Sequence, residues 1–167
     1  MTTVLAFQRP PSSLKRDVSG SYPLNFVQLV QPVLDDQCVR CHGEKDSPLA
    51  VGLTTKHEFD LRGIADAPNG WTRSYQSLAK DYGFYYHTTN GSINDKLHGG
   101  TRTIAGQFGA TAAPLRKYLD DAHHDVTLTP EERYRIDLWL DANSVFYGTY
   151  ENPRTQAQGK DVMPSLE

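Results

Sequence analysis

Cys38-Val39-Arg40-Cys41-His42 places the only two thiols of this chain three positions apart, with an imidazole directly after the second. Four chemistries compete for that set. In the first, each thiol adds to one vinyl group of a porphyrin and the neighbouring imidazole points at the iron. This five-residue pattern is that of c-type haem attachment. The second is a dithiol redox pair, which should open a helix after a strand in a βαβ unit, whereas this pair follows a helical stretch. The third is zinc, which asks for four ligands. Cys38, Cys41 and His42 supply three, and adjacent Cys41 and His42 bind one ion awkwardly. The last is a chance pair of buried cysteines or a surface disulfide. No other cysteine exists to build a different site, so the segment reads as the attachment point of one covalent haem c.

On that reading His42 is the proximal iron ligand, and the opposite axial position decides the chemistry. A second histidine lowers the potential, a methionine raises it, and an open position admits a substrate. Met163-Pro164 is one candidate, in a polar stretch with no helix after it. The histidine candidates are His57, His87, His98, His123 and His124. His123 and His124 fall where a helix ends, between two helices expected to pack on the haem. Neighbouring helical positions diverge by about 100°, so only one of the two can reach the iron.

The elements that must hold these residues follow from local signals. Phe26, Leu29, Val30, Val33 and Leu34 recur at helical spacing as one apolar face, with Asn25 as N-cap. Pro32 lacks an N–H and crowds the carbonyl of Gln28, which predicts a kink or two short helices. Gly43 is a stop signal. A short strand is expected at 51–54, a turn at Asn69-Gly70, and a short helix from 74 to 80 with Ser74 as its cap and Tyr75 and Leu78 inward. Residues 82–110 are glycine-rich and irregular, as loops wrapped around a cofactor would be. Pro114 opens a helix with a stripe of Leu115, Tyr118, Leu119 and Ala122. Thr129-Pro130-Glu131-Glu132 is a capping box that leads into a helix carrying Ile136, Trp139, Leu140 and Asn143. Phe146, Tyr147 and Tyr150 are expected to fold back on it.

At 167 residues, 38% of them apolar, the chain suits one domain. Residues 1–22 read as a tail or linker, 23–150 as a single haem domain and 151–167 as a polar tail. The formal net charge of −3, with charges interspersed, argues against a nucleic-acid partner. No apolar run approaches the ~20 residues of a transmembrane segment. Val4-Leu5-Ala6-Phe7 is too short for the core of a secretory signal.

Several of these runs together resemble a known family. Val30-Gln31-Pro32-Val33-Leu34-Asp35 leads into the thiol motif. Ser74-Tyr75-Gln76-Ser77-Leu78 and Phe108-Gly109-Ala110 with Pro114-Leu115 follow. Ala122-His123-His124-Asp125-Val126 continues into the capping box, and Leu138-Trp139-Leu140-Asp141-Ala142-Asn143 closes the series. The series resembles the haem domains related to the alpha subunit of hydrazine synthase, found in many multidomain proteins of planctomycete-like bacteria. The resemblance covers residues 24–150. It implies a mainly α, cytochrome c-like fold, a few short helices and long loops wrapped around one covalent haem. It also implies bis-histidine ligation, with His123 as the distal ligand and His124 as the alternative. A tyrosine-ligated variant carries its tyrosine just after the haem motif, and here none lies between His42 and Tyr75.

The expected function is electron transfer by a monohaem c-type domain, with redox proteins or a larger multihaem complex as partners. Haem attachment takes place outside the bacterial cytoplasm, so the expected location is periplasmic or extracytoplasmic, the export signal having been cleaved or trimmed. The alternative is a haem enzyme or subunit with an open distal side, acting on a small nitrogen or oxygen species in a pocket lined by Tyr82, Phe84, Tyr85, Tyr86 and His87. A third reading is a non-haem interaction domain holding zinc. Arg40, Lys45, Arg73 and Arg102 are either propionate partners or solvated surface charge. Trp71 and Trp139 read as packing, and Asp125 either orients a histidine or caps a turn.

Overall fold

The computed structural model describes residues 10, 17–43, 59–84, 88–89, 92–93 and 105–165. The strand expected at 51–54 lies outside them. So do His57, His87, His98, Tyr85, Tyr86, Lys45 and Arg102.

The apolar run after Asn25 forms three short helices rather than one. Asn25 Oδ1 accepts from the N–H groups of Val27 and Gln28 at 2.9 and 3.3 Å and starts α1, Phe26–Leu29. α2, Gln31–Gln37, restarts with Pro32 in its first turn, where a missing N–H costs nothing. A second break at Cys38 separates α3, Val39–His42. Gly43 caps α3, and its role is steric: a Cβ there would sit 2.6 Å from both Cγ1 and the carbonyl oxygen of Val39.

α4 spans Arg73–Ala79. Its cap is Thr72, not Ser74 as expected; the Thr72 hydroxyl accepts from the Tyr75 N–H at 3.2 Å. The Ser74 hydroxyl is engaged inside the core, where it donates to Gln31 Oε1 and contacts Thr72 Oγ1. β1, Thr88–Thr89, pairs antiparallel with β2, Ser92–Ile93. Two 3-10 turns follow, Gly109–Thr111 and Pro114–Tyr118. Gly109 is required at φ +57°, since a Cβ would collide with Asp141 Oδ1, which accepts from the Ala110 N–H at 2.7 Å. The stripe expected after Pro114 is only half buried. Leu115 and Leu119 are inside, but Tyr118 is 40% exposed and Ala122 is exposed. The turn closes at Leu119, whose N–H bonds to the Arg116 carbonyl, so Ala122 belongs to the next loop.

α5, Pro130–Asp141, has the expected capping box. Thr129 Oγ1 accepts from Glu132 N–H at 3.2 Å, and Glu132 Oε2 accepts from Thr129 N–H at 2.6 Å. Its Ile136, Trp139 and Leu140 are fully buried. They meet α1 through Phe26, whose ring lies edge-on to Tyr75 and Trp139, with centroids 5.1 and 5.2 Å apart, and stacks on Phe146. Such pairs add about 0.5–1.5 kcal/mol each beyond their area. Phe146 and Tyr147 fold back as expected, whereas Tyr150 points into solvent.

Residues 151–165, expected to be a tail, carry α6, Pro153–Ala157, and are pinned to the domain. Gln156 is 1% exposed. Its side chain bonds to the backbone of Gly148, Thr149 and Glu151, and its carbonyl accepts from Asn25 Nδ2 at 3.1 Å. The segment therefore braces the cap that starts α1. Residues 17–22, also expected as tail, join the same end of the domain: Asn25 N–H donates to the Gly20 carbonyl at 2.7 Å. Among the described residues no helix is long and apolar enough to cross a membrane.

Candidate functional site

The thiol motif spans the break at Cys38 that separates α3 from α2. The Cys41 and His42 N–H groups both bond to the Cys38 carbonyl, at 3.1 and 3.0 Å, which winds the motif into one turn. The chain returns after the loop, and Leu61 N–H donates to the His42 carbonyl at 2.8 Å. Gln31 Nε2 holds the Leu61 carbonyl at 3.0 Å from inside the core. These bonds place Phe59 and Leu61 beside His42.

Between these elements and the segment 115–123 lies a small open-mouthed cavity of about 110 Å³. Leu34, Leu61, Leu78, Leu115 and Leu119 give it an apolar wall, and Cys38 lies at one side. The remaining lining is a closed circuit of five aromatic rings. His42 stands edge-on to Phe59 (5.2 Å between centroids), Phe59 to Tyr82 (5.4 Å), Tyr82 to Tyr118 (5.7 Å) and Tyr118 to His123 (5.1 Å). The circuit closes from His123 back to His42 at 6.1 Å, with the two imidazole planes 3° from parallel.

The structure thus brings Cys38, His42 and His123 to one cavity. His124 is exposed, lies edge-on to His123 and does not line it. Met163 is 56% exposed and also absent from the lining. Of the aromatics expected at an open pocket, Tyr82 lines the cavity, while Phe84 packs against Phe108. Arg73 pairs with Asp60 and Asp66, and Arg40 reaches the His124 carbonyl. Trp139 is core, Trp71 packs on its edge against Tyr75, and Asp125 closes a turn through its N–H on the Asp121 carbonyl. Phe59 and Leu61 were not expected at the site. Their contribution depends on how far the chain returns after residue 43, for which the sequence carries no local signal.

Burial sets the protonation of the donors. It pushes the Cys38 thiol up to about 11, against the pull of Arg40. A thiol held protonated is a poor attacking group. No disulfide joins Cys38 to Cys41. Burial, with His123 and His124 nearby, holds His42 below the usual imidazole range, and burial with His124 does the same to His123. Both rings are thus favoured in the neutral form that ligates metals. Nδ1 of His42 is buried with no hydrogen-bond partner among the described residues. A buried unpaired nitrogen is costly. Among those residues no group of three or more His, Cys, Asp or Glu side chains is placed to share a metal ion.

No family model matches the chain, and no solved structure matches it. Among curated proteins it is similar to hydrazine synthase subunit alpha of Kuenenia stuttgartiensis, 28% identical over 128 residues. The match covers 71% of this chain, which spans about 15% of the length of that relative. The relation to that protein is what the comparisons establish.

Proposed function

We propose that this chain is a monohaem c-type electron-transfer domain of cytochrome c-like fold, with haem bound through Cys38 and Cys41 and ligated by His42 and His123. The observation that carries the reading is the pair of parallel imidazoles, 6.1 Å apart across an apolar cavity that also holds Cys38. Two metal–nitrogen bonds of about 2 Å, with a ring half-width behind each, put the centroids about 6 Å apart across one ion. Two imidazoles are too few for a protein-only zinc site but would suffice where a macrocycle supplied the remaining donors. The similarity to hydrazine synthase subunit alpha is in keeping with the resemblance carried by the sequence motifs.

When bound, haem supplies one-electron redox chemistry. The chain's own residues do the rest. His42 and His123 would both hold the iron, which would leave no coordination position for a substrate. The leucine wall and the aromatic circuit exclude water, and Tyr118, 40% exposed, marks the side nearest solvent. The partners are redox proteins or a larger multihaem complex, and the location is extracytoplasmic, where such attachment takes place.

Visible spectra of the purified holoprotein test the proposal. A low-spin spectrum in both oxidation states, with slow carbon monoxide uptake, is expected. A high-spin ferric spectrum at neutral pH would reject the ligand pair.

A further inference from the structure

Directly after His123 the backbone does something uncommon. His124 and Asp125 both hold left-handed angles, φ +52° and +62°, and neither is glycine. Such conformations persist only where the surroundings over-determine them. Within the loop, Asp125 N–H bonds to the Asp121 carbonyl and Val126 N–H to the His123 carbonyl, both at 3.2 Å. Outside contacts hold it from two helices. The Arg133 guanidinium of α5 donates to the Leu119 carbonyl, just before the loop. Arg40 of α3 donates to the His124 carbonyl at 3.3 Å. Beyond the loop, Gln37 Nε2 donates to Glu132 Oε1 at 3.2 Å, tying α2 to the start of α5.

Arg40 is one of the two residues between the thiols. The same short turn that carries Cys38, Cys41 and His42 therefore grips the peptide that follows His123. We infer that Arg40 is a positioning residue for the distal ligand: its hold on the His124 carbonyl keeps the loop wound so that the His123 ring stays parallel to His42. The inference rests on the ligand pair proposed above. It adds that the attachment motif and the distal loop are mechanically joined, so fixing the motif to the porphyrin also fixes the sixth ligand. Without Arg40 the two left-handed residues lose an outside restraint and relax toward ordinary backbone angles. His123 then leaves the iron more often.

Carbon monoxide binding to the reduced holoprotein reads this directly, because the gas binds only when His123 has left. Arg40→Ala is expected to raise the association rate about 5–10-fold, the scale of one ordinary hydrogen bond lost from an exposed pair. Arg40→Gln, which keeps a donor on a shorter arm, is expected to fall between Arg40→Ala and the unaltered protein, and it gives the answer if Arg40→Ala fails to mature. Lys117→Ala removes a nearby cation without touching the loop and is expected to change nothing. His123→Ala sets the upper limit. Arg40 variants at the unaltered rate, beside a fast His123→Ala, would overturn the inference alone. His123→Ala at the unaltered rate would overturn the ligand pair itself.

Discussion

Gln156→Leu removes a side chain that composition alone would place in a solvated tail. Leucine nearly matches glutamine in volume, so the substitution isolates the polar contribution. Gln156 Oε1 accepts from Gly148 N–H at 3.0 Å and from Thr149 N–H at 3.4 Å. Its Nε2 donates to the carbonyls of Thr149 and Glu151 at 2.9 and 2.6 Å. Three of these bonds have good geometry and one is long. At about 0.5–1.5 kcal/mol net for each bond, with the backbone partners left unpaired, the loss comes to about 3 kcal/mol. A substitution in a solvated tail costs within about 0.5 kcal/mol. The two outcomes are well separated. Urea unfolding of variant and unaltered holoprotein, in the same ligation state, reads the difference as a lowered midpoint at constant slope. A loss under about 1 kcal/mol would refute the claim that 151–165 belongs to the domain. It would also remove the brace on Asn25 and hence one support of α1 and the motif beyond it.

Other outcomes follow from the same geometry. His123→Ala should convert the ferric spectrum to high spin, whereas His124→Ala should leave it low spin; the reverse pattern would exchange the two ligand assignments. Thr129→Ala deletes one arm of the capping box on α5 and should cost about 1 kcal/mol in urea unfolding; no measurable loss would mean that Glu132 alone secures the helix start. Asp60 sets an acid limit. Burial raises its carboxyl, but the hydrogen bonds from Arg62 and Arg73 outweigh this and hold it below the usual range. A depressed carboxylate contributes stability that is complete above its unfolded pKa of about 3.9 and is lost as pH falls through the lower folded value. Asp60→Asn should therefore be less stable at pH 7, with the gap closing in acid; a gap that stays constant with pH would dismiss the ion pairs as its source.

What could be read in advance was local. Asn25, Pro32 and the Thr129 box act on their own neighbours through caps and missing N–H groups, and the structure shows all three where the sequence places them. Ser74 misled because its hydroxyl is taken by Gln31, a partner 43 residues away that no local rule sees. Ala122 misled because helical spacing was extended past a 3-10 turn that stops at Leu119. The C-terminal stretch looked solvated because Gln156, a polar residue, is buried for its hydrogen bonds and not for its hydrophobicity. At the site, the thiol motif is contiguous and so was legible. Of the two candidate histidines, the three-dimensional return of the chain turns His123 toward His42, and no spacing rule distinguishes His123 from His124. Phe59 joins only through that return.

The central claim is that a porphyrin is fixed to both thiols. Intact-mass analysis of the chain, produced in an exporting host with haem-attachment machinery and treated with a thiol-alkylating reagent, reads it most directly. The expected result is the polypeptide plus the mass of one haem, with Cys38 and Cys41 unalkylated. A folded protein with the bare polypeptide mass and two alkylated cysteines would contradict it.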